Sequence, residues 1–415
     1  MKSNYQKIRG TYDILPDELF YYNLVEKAAR EITSRHSFKE IRLPAFEDAG
    51  LFIHATGETT DIVEKEMYLL KDKKDRQIAL RPEGTPGVVR AFLENDLTAS
   101  YPVGKFFYSG AMYRHERPQE GRRREFFQFG CEFFSNPHPV ADAELITIIG
   151  EIYELLGINN INIELNSIGC PECRPKYRQD LLAFLENNKD ISCDDCKIRM
   201  TKNPLRAVDC KVDREKYIQR NIPVMRTFLC NDCTNHFNQV LELLESTHIK
   251  YSLNPYIVRG LDYYTRTVFE VKHASSDALG AGGRYDNLIE LLGGEKTPAV
   301  GFAIGIDRTA SALKNTGVIE NSIKPVFLIV QQNDTVIKHS YLLLKNLLSQ
   351  NIPVQGPFPD KSFKAQMRMA NSLGVKYTLI LGEDELKENT VALKDMENKI
   401  QEKVPVVQLI EKLKK

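Results

Sequence analysis

The chain is short of several things that would place it quickly. None of its 415 residues falls in an apolar run long enough to span a bilayer, which argues against a helical anchor. Net charge is missing too, with 56 Lys+Arg set against 56 Asp+Glu. A nucleic-acid partner would therefore be met by local patches and not by a global field. The opening residues, Met-Lys-Ser-Asn-Tyr-Gln, contain no apolar signal core, so a soluble, cytoplasmic protein is expected. There is no low-complexity tract and no repeat with a period of about 20–50 residues. The glycine cluster at 280–283 is not followed by Gly-Lys-Ser/Thr, which excludes a Walker A loop, and it is not a dinucleotide fingerprint either. It is a turn, or a place where backbone lines a tight pocket.

What is present is a globular composition long enough for two or three domains. Residues 17–36 have apolar positions at helical spacing. Residues 37–46 read as a strand stopped by Pro44, and 66–81 as a hairpin with a charged turn at Lys71–Arg76. Arg81-Pro82-Glu83-Gly84-Thr85-Pro86 is a rigid turn leading into a helix at 87–95. A helix at 141–157 and a strand at 160–166 follow. Strand signals return at 251–271, and 299–306 forms a buried strand that runs into a helix after Asp307-Arg308. Beyond a polar linker at 315–324, strands at 325–331, 352–355 and 377–382 alternate with helices at 335–349 and 361–374. That alternation predicts a compact α/β domain with a mostly parallel sheet. The larger N-terminal part reads as an α+β domain, an antiparallel sheet flanked by helices.

Residues 110–134 carry the most information. Two strands flank a loop with Pro118 and Gly121, and five arginines crowd positions 114–124. A hairpin needs none of them, and massed cations repel one another, so they await a polyanion. Along the second strand Phe126, Gln128, Gly130 and Glu132 share one face, and Phe127, Phe129, Cys131 and Phe133 the other. The second set is a core face. The first offers a ring, an amide, a gap and a carboxylate, the floor of a pocket for an aromatic base and a cationic amine. The bland alternative is an edge hairpin with a solvated face.

Arg114 and Arg308 each sit at the edge of an apolar strand. Arg308 also opens a helix, where a cation opposes the dipole unless an anion arrives or a salt bridge holds it. Arg259-Gly-Leu-Asp-Tyr-Tyr264 lies inside a strand signal, which puts Arg259 with Tyr263 on one face and Asp262 with Tyr264 on the other. Gly260 would let a ligand approach, though paired tyrosines also suit a plain core. Lys361, Lys364 and Arg368 share a helical face that is either a phosphate patch or merely solvated.

Cysteine is uneven. Cys131 stands alone, and the other seven lie between 170 and 233. Three Cys-x-x-Cys pairs occur there, Cys170/Cys173, Cys193/Cys196 and Cys230/Cys233, with Cys210 between the last two. The first two pairs are separated by 19 residues, a zinc-ribbon spacing. Any two pairs would complete a four-cysteine structural Zn²⁺ site, and spacing does not choose between them. Reduced thiols without metal are the alternative.

Together these segments resemble a bacterial-type histidyl-tRNA synthetase, a class II aminoacyl-tRNA synthetase, over nearly the whole length. The resemblance implies a catalytic domain at 1–169 plus 234–314, an inserted Cys-rich subdomain at 170–233, a linker at 315–324 and an anticodon-binding domain at 325–415. Residues 37–46 with the preceding helix resemble motif 1, the dimer-forming element. Residues 110–134 resemble motif 2, 299–313 motif 3, and Arg259–Tyr264 the signature of the histidyl enzymes. It implies a homodimeric, cytoplasmic ligase acting on L-histidine, ATP with Mg²⁺, and tRNA(His). In that reading Arg114 and Arg259 act at the α-phosphate and Arg308 at the γ-phosphate. Glu116 takes the adenine amino group and Phe126 stacks on the base. Glu83 and Tyr264 meet the imidazole, and Thr85, Gln128 and Glu132 hold the α-amino group. Arg114, Arg259 and Tyr263 complete the histidine pocket. Arg122, Arg123 and Arg124, with Lys361, Lys364 and Arg368, are the tRNA candidates. The rivals are a histidine-binding paralogue, the regulatory subunit of ATP phosphoribosyltransferase, and a tRNA-sensing module without activity. The Arg259–Tyr264 signature with Arg114 and Arg308, and the full 325–415 domain, argue against the first; the second would show a broken ATP site, and none is visible in the sequence.

Overall fold

The computed structural model describes residues 4–57, 60–116, 122–273, 276–318 and 324–414; Arg117, Pro118, Gly121 and positions 319–323 of the expected linker lie outside them. The chain divides into two compact units, residues 1–319 and 320–415.

The first unit is built on an eight-stranded sheet. Its strands run in the spatial order Lys39–Glu40, Gly104–Tyr113, Glu125–Phe134, Ala299–Gly305, Ser276–Arg284, Thr265–His273, Ile161–Ser167, Tyr251–Leu253. Only the two short edge strands pair in parallel; the six inner strands are antiparallel. Alternation explains the layering. Phe129, Cys131 and Phe133 face helices Pro16–Arg35, Pro139–Leu155 and Ile306–Lys314 in the main core. The opposite face packs Phe106, Tyr108 and Met112 on helix Thr85–Glu94 and leaves the rest open as a floor.

Two expected strands dissolve for a shared reason: side chains take their carbonyls first. In 37–46, only Lys39–Glu40 pairs with the large sheet, and Phe46–Asp48 joins a separate three-stranded sheet with the hairpin Tyr68–Lys71/Gln77–Leu80. Arg81 accounts for the break, since one guanidinium nitrogen donates to the carbonyls of Leu43 (2.8 Å) and Pro44 (3.2 Å). The segment 254–264 is likewise a chain of turns and not strand. Asn166 donates to the carbonyls of Pro255 and Ile257, Arg206 to that of Gly260, and Arg174 to that of Tyr264. The strand reading of Arg259–Tyr264 therefore fails. Tyr263 and Tyr264 do not face apart but touch, with ring centroids 4.7 Å apart.

The glycine cluster at 280–283 is strand, not turn. A Cβ on Gly283 would stand 2.6 Å from the Thr267 carbonyl oxygen, so the sheet closes there only on bare backbone. The insertion folds as short helices, among them Arg174–Asn187, Asp194–Lys202 and Arg214–Gln219, around its own core of Tyr177, Leu181, Leu185, Met200 and Tyr217.

The second unit has a five-stranded sheet in the order Val354–Gln355, Val326–Val330, Tyr377–Leu381, Thr390–Asp395, Gln401–Pro405. The three anticipated strands pair in parallel; the last two, hidden among charged residues, pair antiparallel and make the sheet mixed. Lys361 stands before helix Phe363–Ser372 and not on it, beside Asp360 at 3.2 Å. Lys361, Lys364 and Arg368 are all exposed.

Candidate active site

A cavity of about 760 Å³ opens on the floor of the large sheet. That is the size of a small-molecule site. Five guanidinium groups line it: Arg114, Arg122, Arg123, Arg259 and Arg308. Three arrive from remote segments. Arg114 follows the strand Gly104–Tyr113, Arg259 comes from the turns before Thr265–His273, and Arg308 from the first turn of helix Ile306–Lys314.

Each is held. Arg114 donates through Nε to the Pro82 carbonyl at 2.9 Å, and its guanidinium lies 5.3 Å from the Phe126 ring centre. Glu116 sits 4.0 Å from Arg114 and 3.3 Å from Arg122. Arg259 donates to Glu270 at 3.1 Å, and Arg308 to the Ala278 carbonyl at 2.8 Å. A cation at this helix start is tolerable because Asp307 precedes it and offsets its charge at the dipole.

Beside the cations lie two buried carboxyl groups. Tyr263 donates to Glu83 at 3.2 Å, and burial pushes Glu83 up to about 7 despite the nearby Arg114. Glu132 accepts from Thr85 at 2.6 Å and from Tyr285, and burial pushes it up to about 8. Gly301 is paired opposite Glu132, and a Cβ there would overlap the carboxylate. The other Glu83 oxygen and the Gln128 side-chain oxygen are buried without a hydrogen-bond partner. Two desolvated acceptors in one cavity make it a site for a ligand that donates.

The Histidyl-tRNA synthetase family model matches residues 10–309, and the Anticodon binding domain model matches residues 326–415. The chain belongs to the histidyl-tRNA synthetase family. Histidine–tRNA ligase of Thermodesulfovibrio yellowstonii is 43% identical over 414 residues, covering 99% of this chain and 98% of that protein. The crystal structure of apo Staphylococcus aureus histidyl-tRNA synthetase aligns at a TM-score of 0.81 and 32% identity, covering 99% of this chain and all of that one. A structure from Bacillus halodurans titled as an ATP phosphoribosyltransferase regulatory subunit/histidyl-tRNA synthetase aligns at 0.67, but its 18% identity shows the fold alone.

In this synthetase Glu83, Thr85, Arg114, Glu116, Arg122, Phe126, Gln128, Arg259, Tyr263, Tyr264 and Arg308 all line the cavity. Glu132 does not. It stands one layer below, reaching the cavity through Thr85 and Tyr285. The gap expected at Gly130 is filled by the Tyr108 ring, which would clash with any Cβ there. Arg123 lines the edge but is engaged by the fold, donating to Tyr22 (2.9 Å) and Asp307 (3.0 Å). Asp307 also accepts from the Phe127 backbone at 2.6 Å, so this pair locks the helix to the hairpin. Arg124 lies outside the lining, its backbone N–H bonded to the Gly10 carbonyl.

Tyr108, Glu270, Tyr285 and Asp307 escape sequence reasoning. Tyr108 and Glu270 sit on ordinary strand signals, Tyr285 just after the strand Ser276–Arg284 and Asp307 in the first turn of a helix, and only the packing of these distant segments brings them to the cavity.

Proposed function

We propose that this class II ligase makes histidyl-adenylate in the floor cavity and passes the histidyl group to the 3′ end of tRNA(His). The convergence of Arg114, Arg259 and Arg308 beside the Glu83–Tyr263 and Glu132–Thr85–Tyr285 groups carries the reading.

A histidine carboxylate oxygen attacks the α-phosphorus of ATP. The new P–O bond forms as the bond to the β-phosphate oxygen breaks, and pyrophosphate leaves with the electron pair. The carboxylate is already ionised, so no general base is required; catalysis is positioning and charge stabilisation. Arg259, oriented by Glu270, faces the charge that develops on the α-phosphate, with Arg114 opposite. Arg308 takes the γ-phosphate, and magnesium enters with the nucleotide as part of the substrate. Phe126 stacks on adenine and Glu116 accepts from its amino group. Glu83 and Tyr264 read the two imidazole nitrogens, while Thr85, Gln128 and, through its partners, Glu132 hold the ammonium group. An amino acid without ring donors leaves these buried groups unpaired, which supports rejection on the order of 10⁴-fold.

Arg122, Arg124 and the exposed Lys361, Lys364 and Arg368 supply cations for the tRNA backbone, while Arg123 is committed to Tyr22 and Asp307. The domain reading is a catalytic domain at 1–169 plus 234–314 interrupted by 170–233, with an anticodon-binding domain at 325–415. A homodimer is supported by exposed apolar side chains on the small sheet, with Phe46 58% and Leu70 49% accessible. A structural zinc ion held by two of the Cys-x-x-Cys pairs completes the reading.

Arg259→Ala is expected to slow histidyl-adenylate formation by more than about 10²-fold, the scale of one lost transition-state donor. Pyrophosphate exchange, with the fold checked by circular dichroism, measures it. A loss below about threefold removes Arg259 from the chemistry.

A further inference from the structure

The insertion brings its seven cysteines into two separate clusters. Cys170, Cys173, Cys230 and Cys233 place four sulfurs within 4.8 Å of one another. Cys193, Cys196, Cys210 and a carboxylate oxygen of Asp213 do the same. All of these cysteines are free, so no disulfide accounts for the approach. Sulfur–sulfur separations are 3.6 Å for Cys170–Cys173, 3.9 Å for Cys170–Cys230 and 3.8 Å for Cys193–Cys210. A tetrahedral ion with bonds of about 2.3 Å sets its sulfurs about 3.8 Å apart.

We propose that the insertion holds two structural zinc ions, one on Cys170, Cys173, Cys230 and Cys233, the other on Cys193, Cys196, Cys210 and Asp213. This extends the single-zinc reading, pairing the first Cys-x-x-Cys with the third and giving the middle one different partners.

The second cluster argues most strongly for an ion. Asp213 is fully buried among three thiols. Its Oδ2 accepts from the Cys193 backbone N–H at 2.7 Å and lies 3.9 Å from the Cys210 sulfur, while Lys216 binds Oδ1 at 2.9 Å. Lys216 answers Oδ1 alone; Oδ2 faces the sulfur cluster, where thiols are weak donors, and a metal ion would complete its partners. In the first cluster the Cys230 backbone N–H donates to the Cys173 sulfur at 3.1 Å, a bond that suits a metal-bound thiolate. A subdomain this small gains most from such staples.

The two clusters also flank the site. Arg174, next after Cys173, donates to the Tyr264 carbonyl, and Arg206, between Cys196 and Cys210, donates to that of Gly260. The ions thereby fix the two arms that hold Arg259–Tyr264.

Inductively coupled plasma mass spectrometry on the full chain, purified without a histidine tag, is expected to find two zinc atoms per chain. The variants Cys170→Ser/Cys173→Ser and Cys193→Ser/Cys196→Ser should each keep one. Because cysteine variants can unfold, wild-type protein titrated with a mercurial reagent, with zinc followed by a chromogenic chelator, gives an independent reading. Release of both ions as the seven clustered thiols react supports the assignment. One zinc per chain overturns the two-ion assignment, the double variant that loses it showing which cluster holds it, and less than about 0.2 overturns both sites, as does iron in its place. Histidine charging is read separately, so none of these outcomes bears on the ligase reading.

Discussion

Glu132 shows how much of the pocket depends on a residue that never reaches it. Its carboxylate is enclosed by Thr85, Tyr285 and the bare backbone of Gly301. Burial raises both Glu132 (to about 8) and Glu83 (to about 7), so the folded protein holds protons that the unfolded chain gives up at lower pH. The sign follows from that difference. Below the unfolded values both states are protonated, and these groups cost nothing. As pH rises towards the folded values, each group lowers stability, by at most about 1.4 kcal/mol per pH unit. Urea midpoints are therefore expected to fall between pH 5 and pH 8, and Glu132→Gln should flatten that fall. Parallel slopes in the variant and the parent would show that Glu132 does not hold the extra proton.

At the scale of elements, the sequence was legible wherever alternation or helical spacing ran uninterrupted. The hairpin of residues 110–134, its core face of Phe129, Cys131 and Phe133, and the strand–helix step at Arg308 could all be read in advance. The stretches 37–46 and 254–264 could not, because β-rich composition does not reveal that Arg81, Asn166, Arg174 and Arg206 will claim the carbonyls. Those long-range bonds now assign a positioning task. Arg206→Ala is expected to raise the KM for histidine by about tenfold, the scale of a lost charge-assisted hydrogen bond, and to lower kcat through the neighbouring Arg259, while leaving the KM for ATP nearly unchanged. Pyrophosphate exchange at varied histidine and then varied ATP separates the two. Equal increases in both constants would mean general loosening in place of support for the histidine signature.

At the scale of the whole molecule, the two units were separable in sequence because the polar stretch 315–324 divides two different patterns of strand and helix. Self-association was expected only from the resemblance of residues 37–46 and the preceding helix to motif 1; the structure adds the exposed apolar residues Phe46 and Leu70 on the small sheet. Those residues give the homodimer its test. Phe46→Glu combined with Leu70→Glu should shift the mass measured by light scattering from dimer to monomer, and a parent chain that is already monomeric sinks the reading. The order of the large sheet has a further consequence, for synthesis. The strand Glu125–Phe134 acquires its second neighbour only from Ala299–Gly305, which leaves the ribosome long afterwards. Until then a nascent chain carries a long, aromatic-rich edge with unpaired backbone groups, the kind of edge that invites pairing with other chains. Completing the floor of the cavity and closing that edge are one event.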